Sequence, residues 1–262
     1  MREFDLVVIG GGSGGVRAAR IAAMHGAKVA LFEKDRMGGT CVIRGCIPKK
    51  LLFYSAQFKN TLDIAGNYGW SIKNISKNFK KLIINKNKEL KRLERIYEEN
   101  AKKSGVKIFH EEAFLESKNI VKAGNLKLFT KNIIIATGGV PKSLDVIGNE
   151  YCINSDQIME LNKIPEKLSI IGSGYIAIEF AFIFSMLGAK VVLICRKNIL
   201  RGFDDHLIKL VKERLIASGV KVLLNEEVKK ISLKNSLKKI SLKKSKSVLR
   251  ANEILVAIGR HA

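Results

Sequence analysis

Residues 4–33 read FDLVVIGGGSGGVRAARIAAMHGAKVALFE. Leu6–Ile9 is a short, unbroken apolar run that ends in glycine, the pattern of a strand buried on both faces. An alanine-rich amphipathic stretch follows the glycines, and Lys28–Glu33 reads as the next strand. Strand, glycine turn, helix, strand is a βαβ unit, and such a unit demands a parallel sheet. Gly10, Gly12 and Gly15 stand in GxGxxG spacing, with Glu33 at the end of the second strand, 23 residues after Gly10. The glycines permit the tight turn, the close approach of a pyrophosphate and helix–strand packing, and the acid accepts hydrogen bonds from ribose hydroxyls. The helix start adds a field that favours phosphate. This unit predicts a dinucleotide site for an adenosine with a free ribose.

The pattern restarts further on. Lys167–Gly172 is a strand, GSGYIAIEFAFIFSMLGA (172–189) a turn and an apolar helix, and KVVLICR (190–196) a strand. Gly172, Gly174 and Ala177 form a permitted variant of the fingerprint. Where the acid should stand, 24 residues after Gly172, the chain has Arg196, with Arg201 five residues on. Guanidinium groups grip phosphate with paired hydrogen bonds, so this exchange converts a 2′-hydroxyl site into a 2′-phosphate site and predicts NADPH.

Between the two units, Pro48 opens a helix over 47–64, since proline suits a first turn. Leu82, Leu90, Leu93, Ile96 and Tyr97 recur at helical spacing over 78–103. Short strands fill 106–135, IIIATGG (133–139) reads as a buried strand ending in glycines, and a linker is expected at Val140–Asn154. KKISLK occurs at 229–234 and 238–243 in alternating patterns that predict a hairpin or meander whose lysines guard its edges. The fold class expected is α/β, two Rossmann-like domains, each a parallel sheet with helices and a small β-meander, divided as 1–148 and 149–262.

The chain has 262 residues, is 47% apolar and 27% charged, and carries a formal charge of +23. This composition excludes disordered and collagen-like classes, and no run approaches the ~20 apolar residues of a membrane span. The first residues hold only the short run Leu6–Ile9, too short for a signal-peptide core, so a cytoplasmic protein with no membrane partner is expected. The surplus lysine is scattered and not interleaved with aromatics, so it marks no platform for nucleic acid and none is expected as partner.

Cys41 and Cys46 stand in GGTCVIRGCIPKK (38–50), with Cys152 and Cys195 far away. No further ligands follow at zinc-finger spacing, and no metal is expected. A close pair in a chain of this kind is redox-active when a helix start and cations favour a thiolate, and Pro48, Lys49 and Lys50 supply both. Cys152 and Cys195 lack such surroundings and read as small buried residues.

GGGSGG, GGTCVIRGCIPKK, ATGG, GSGYIAIEFA and VAIGR, in this order along nearly the whole chain, resemble the flavoprotein disulfide reductases and within them the glutathione reductase group. KNKELKRLERIY (86–97) and RKNILRGFDD (196–205) resemble the same group. The resemblance implies that residues 1–148 bind FAD through Gly10, Gly12, Ser13, Gly14, Gly15, Glu33, Thr40, Ala113, Thr137 and Gly138, and that residues 149–262 bind NADPH. It further implies that Lys49 sits near the flavin paired with Glu179, that Tyr175 gates the nicotinamide, and that hydride passes from NADPH to FAD. The reduced flavin then opens a Cys41–Cys46 disulfide, Cys46 remains beside it as a thiolate, and Cys41 attacks glutathione disulfide. In this family a C-terminal interface domain supplies a His general acid from the other subunit of a homodimer. His25, His110, His206 and His261 do not lie in that context, so only the N-terminal portion of such an enzyme is expected here. Two alternatives stay open: a dihydrolipoyl dehydrogenase-like flavoprotein, which shares the fold and cysteine pair but uses NAD, and a non-catalytic nucleotide-binding remnant.

Overall fold

A computed structural model describes residues 2–262. They form two compact units: one made of the segments up to Lys49 and Asn85–Gly139 with Ala262, the other of Lys50–Ile84 and Val140–His261.

The first unit opens with β1 (Arg2–Ile9), α1 (Ser13–Met24) and β2 (Val29–Phe32), the βαβ unit anticipated. Next come α2 (Gly39–Ile43), α3 (Cys46–Ile64) and α4 (Phe79–Lys103), the last two shared with the second unit. The strands β3 (Lys107–Phe109), β4 (Phe114–Ser117), β5 (Ile120–Ala123) and β6 (Leu126–Ile135) complete a six-stranded sheet in the order β3-β2-β1-β6-β5-β4. β3, β2, β1 and β6 are parallel, and β5 and β4 turn back as an antiparallel meander. Leu6, Val8, Val29 and Leu31 bury one face against Val16 and Ala19 of α1 and Ala101 of α4. Val7, Ile9, Ala30 and Phe32 bury the other against Val121, Ala123 and Leu128 of the meander. Burial on both faces is why the strands read as continuous apolar runs rather than alternating ones.

The second unit repeats this plan. β7 (Val140–Pro141), β8 (Lys167–Ile171), α5 (Tyr175–Met186), β9 (Lys190–Ile194), α6 (Asp205–Ala217) and β10 (Lys221–Leu223) precede the meander β11 (Val228–Lys234), β12 (Leu237–Leu242) and β13 (Val248–Ala251), and β14 (Glu253–Val256) and β15 (Arg260–His261) follow it. β10, β9, β8 and β14 form a four-stranded parallel sheet in that order. Leu168, Ile170, Val191 and Leu193 pack under α5 and α6, while Ile171, Ile194, Ile254 and Val256 pack under the meander. Asp204 caps α6, its carboxylate accepting the Leu207 N–H at 3.0 Å.

Two expectations are corrected. The apolar end of β6 is not buried: Ile134 is 38% and Ile135 63% exposed. β5 pairs β6 only from Leu126 to Phe129, so beyond that point β1 is the partner on one edge alone. Val140–Asn154 is not a free linker either. β7 pairs with β15, the Lys142 N–H donates to the Gly259 carbonyl at 2.9 Å, and Ile153 and the β14 backbone exchange two bonds of 2.8 Å. Leu144, Val146 and Tyr151 meanwhile pack on the core, so the prolines and glycines of this stretch shape turns within a unit. Among the described residues no helix is long and apolar enough to cross a membrane.

Candidate functional site

At the end of β1 the backbone turns through Gly10 at φ 111°, and a Cβ there would lie 2.3 Å from the Ala136 carbonyl oxygen. A Cβ on Gly15 would lie 1.8 Å from the Gly10 carbonyl oxygen, so any side chain at either position would force strand, loop and helix apart. Gly12 caps α1 without a side-chain acceptor, which leaves the helix start available to an anion. A Cβ on Gly14 would meet nothing within 4 Å, so the loop has open space on the helix side. Glu33 reaches back to the loop: its Oε2 accepts the Gly11 N–H at 2.7 Å, and its Oε1 accepts the Asp35 N–H at 2.8 Å. The Ala136 N–H donates to the Ile9 carbonyl at 2.8 Å, which holds exposed Thr137 and Gly138 beside the turn. Ala113 packs half-buried against the meander-side core before β4. A helix start, an open glycine surface and an acid at the loop suit the adenosine and pyrophosphate of a dinucleotide such as FAD.

The same loop carries the cysteine helices. The Gly38 N–H donates to the Gly11 carbonyl at 2.8 Å, and Gly38 forms a bridge with Gly12. Thr40 and Cys41 follow on α2, and Cys46 is the first residue of the 19-residue α3, where the helix field favours negative charge. All four cysteines are free thiols, so the pair stands as a dithiol rather than the disulfide expected. Burial, a hydrogen bond to the Cys46 sulfur and that sulfur's charge push the Cys41 thiol up to about 11, and a hydrogen bond from Ser13 works against them. Cys195 is buried as expected; its thiol donates to the Gly172 carbonyl at 3.4 Å, and burial pushes it up to about 12. Cys152 is only half-buried, because its loop lies along the rim of the second unit's core.

Ser13 also lines a groove of about 530 Å3 between α1 and α4, with Arg17, Arg20, Ile21, Met24, Tyr97 and Asn100. Arg20 is steadied by its Nε, which donates to Ser104 Oγ at 3.3 Å. The sequence reading missed this groove. Arg17 and Arg20 share a face of α1 at i,i+3 spacing, which is visible, but their meeting with Tyr97 depends on two helices packing across the sheet.

In the second unit Gly172 turns at φ 144°, where a Cβ would meet the Ala257 carbonyl oxygen at 2.2 Å. Ala177 is buried on the first turn of α5, and Gly174 caps that helix without a side-chain acceptor. Gly172, Ser173, Gly174 and Arg196 line a cleft of about 610 Å3 with Lys142, Ile194, Glu226, Glu227, Lys243 and Ala257–Gly259. Arg201 is exposed and does not line it, but the adjacent Leu200 N–H donates to the Ser173 carbonyl at 2.7 Å and ties its turn to the glycine loop. Tyr175, the first residue of α5, is 59% exposed, and Glu179 one turn on is half-buried. Lys49 lies half-buried in the first turn of α3. Glu226, Glu227 and Lys243 were not anticipated: Lys243 is one lysine in a lysine-rich run, and only the folding of the meander singles it out. Among the described residues no cluster of His, Cys, Asp and Glu could hold a metal ion.

The fold and site thus define a protein of two glycine-loop α/β units, the first with a pair of free cysteines beside its loop. The sequence pattern of the family described as pyridine nucleotide-disulphide oxidoreductase matches residues 4–262, and the chain belongs to that family. It is 45% identical over 227 residues to glutathione reductase of Burkholderia cepacia, covering 86% of this chain and 51% of that enzyme. It is 40% identical to glutathione reductase of Nostoc sp., covering 84% and 48%, and 35% identical to trypanothione reductase of Trypanosoma congolense, covering 99% and 58%. The chain therefore spans about half the length of the curated relatives it matches.

Proposed function

We propose that the chain reduces glutathione disulfide through Cys41 and Cys46, drawing electrons from NADPH by way of FAD. The observation that carries this reading is the Cys41–Cys46 dithiol, whose Cys41 is hydrogen-bonded by Ser13, a residue that also lines a groove with Arg17 and Arg20. Glutathione disulfide offers four carboxylates for such guanidinium groups. On this reading the first unit is the FAD domain, with Gly10, Gly12, Ser13, Gly14, Gly15, Glu33, Thr40, Ala113, Thr137 and Gly138 around the cofactor. The second is the NADPH domain, with Gly172, Gly174, Ala177, Arg196 and Arg201. On the same reading Lys49 serves the flavin, and Tyr175 and Glu179, on the first turns of α5, serve the nicotinamide.

Cys41 attacks one sulfur of the substrate as its proton passes to the Cys46 sulfur, the hydrogen-bonded base in reach. One glutathione leaves with that proton, and a mixed disulfide forms on Cys41. The Cys46 thiolate then attacks Cys41 Sγ, the second glutathione leaves as thiolate, and the pair ends as a disulfide. Two electrons have passed to the substrate; FAD, held at the Gly10–Gly15 loop and reduced by NADPH, would supply the two that restore the dithiol.

The test uses the full chain, reduced with dithiothreitol, desalted and mixed with oxidised glutathione. The expected result is loss of two thiols and release of two equivalents of glutathione, abolished by Cys41→Ser and stopped at a mixed disulfide by Cys46→Ser. Exchange no faster than that of free cysteine, or untouched by Cys41→Ser, would overturn the reading. Reconstitution with FAD and titration with NADPH examines the cofactor half: flavin absorbance should bleach and a long-wavelength charge-transfer band should rise.

A further inference from the structure

Arg196 is not alone in its cleft. Lys243 Nζ lies 3.0 Å from Glu227 Oε2, both side chains line the same cavity as the Gly172–Gly174 loop, and Glu227 lies within the field of Arg196. Lys243 reaches this place because Glu226, buried at the start of the meander, holds the turn after β12. Its Oε1 accepts the Lys244 N–H at 2.9 Å and its Oε2 the Ser245 N–H at 3.0 Å. The Lys243 N–H donates in turn to the Glu227 carbonyl at 2.8 Å. The backbone on both sides of the ion pair is thus fixed, and the lysine belongs to a built corner of the cleft rather than to a loose lysine tail.

Three facing charges make an ordered choice. Arg196 and Lys243 attract a phosphate, and Glu227 opposes it while neutralising the lysine whenever no phosphate is present. We propose that Lys243 and Glu227 set the cleft's preference for a 2′-phosphate, Lys243 as a second cation on that group and Glu227 as the internal anion it must displace. The proposal rests on the second unit being the NADPH site. An incoming 2′-phosphate takes over Lys243, and a nucleotide with a free 2′-hydroxyl leaves the Lys243–Glu227 pair intact and gains nothing from it. Glu227 thereby lowers affinity for the phosphorylated nucleotide and protects the cleft from indiscriminate anion binding.

Calorimetric titration of the full chain with 2′,5′-ADP and with ADP separates the two levels of the argument. If the unaltered chain does not prefer 2′,5′-ADP, the NADPH reading of the cleft falls, and this proposal with it. If it does, Lys243→Gln should lower affinity for 2′,5′-ADP by about tenfold and leave ADP within about twofold, the loss expected for one charge-assisted contact. Glu227→Gln should move the other way, tightening 2′,5′-ADP several-fold with ADP unchanged. A preference undiminished by Lys243→Gln, or affinity for 2′,5′-ADP that falls in Glu227→Gln, would overturn the assignment. The opposite signs guard against misfolding, which would weaken both ligands in both variants.

Discussion

Gly39 stands against Gly12 so closely that a Cβ on Gly39 would lie 2.6 Å from the Gly12 Cα. Gly12 caps α1 in the nucleotide loop and Gly39 begins the cysteine helix α2, so the loop that could hold a cofactor and the turn that holds the dithiol touch at bare backbone. Thiols can be kept within reach of a bound dinucleotide only if the two turns do not drift.

Gly39→Ala should therefore be costly in a specific way. Gly39 sits at φ 58°, where alanine loses ~1–2 kcal/mol, and the contact with Gly12 adds to that. Urea unfolding should show a loss of about 2 kcal/mol or more. Gly14→Ala is the matched control: it lies inside α1 with nothing near its Cβ, and should raise stability by ~0.5–1 kcal/mol while weakening any nucleotide held on that open surface.

Burial does most to raise the Cys41 thiol, the Cys46 sulfur adds to it by hydrogen bond and by charge, and Ser13 lowers it. Cys46→Ala should bring the Cys41 titration below about 11, and Ser13→Ala should carry it higher. Alkylation by iodoacetamide follows thiolate fraction, so the pH–rate profile of Cys41, resolved by mass spectrometry, reads both shifts. A midpoint indifferent to Cys46→Ala would mean that the two sulfurs do not share a proton.

Both βαβ units were legible because each local signal agreed: apolar runs, glycine spacing and a second strand at the right distance, with physics that acts within ~30 residues. The exposed end of β6 was not, since IIIATGG is as apolar as a core strand and only the shortness of β5 leaves its edge unpartnered. Val140–Asn154 misled for the opposite reason: Pro141 and Gly148 signal turns, and turn residues do not say whether a turn is free or built in. The groove at Arg20 and Tyr97 and the cleft corner at Lys243 and Glu227 escaped because they join segments far apart in sequence, and nothing in either segment names the other.

Glu226 makes the second unit's stability depend on acid. Backbone N–H groups of Lys244, Ser245 and Glu227, with the Ser245 hydroxyl, hold its carboxyl down at about 2, against an unfolded value of ~4.3. A depressed carboxyl contributes stability that is complete above its unfolded value and lost as pH falls through the folded one. Stability from this source should fade between about pH 4.3 and 2. Glu226→Gln, which cannot ionise, should be less stable than the parent near pH 6 and converge with it toward pH 2. Urea midpoints measured across that range check this, and parallel curves would show that the carboxylate does not hold the turn.

Arg196→Glu tests the cleft from its other side. Cys195 follows β9 directly, as Glu33 follows β2, and Arg196 is the next residue, so the substitution puts a carboxylate one residue beyond the place where the first unit keeps its acid. A carboxylate there repels a 2′-phosphate and accepts ribose hydroxyls, so the preference for 2′,5′-ADP over ADP should fall by at least about tenfold. It also sets a second carboxylate near Glu227, whose charge Arg196 helps to balance. Arg196→Glu alone should therefore bind ADP weakly, and adding Glu227→Gln should improve that binding without restoring 2′,5′-ADP. An unchanged ratio in the single variant would remove Arg196 from the 2′-phosphate site. A double variant no better than the single one for ADP would show that Glu227 and residue 196 do not act on the same ligand.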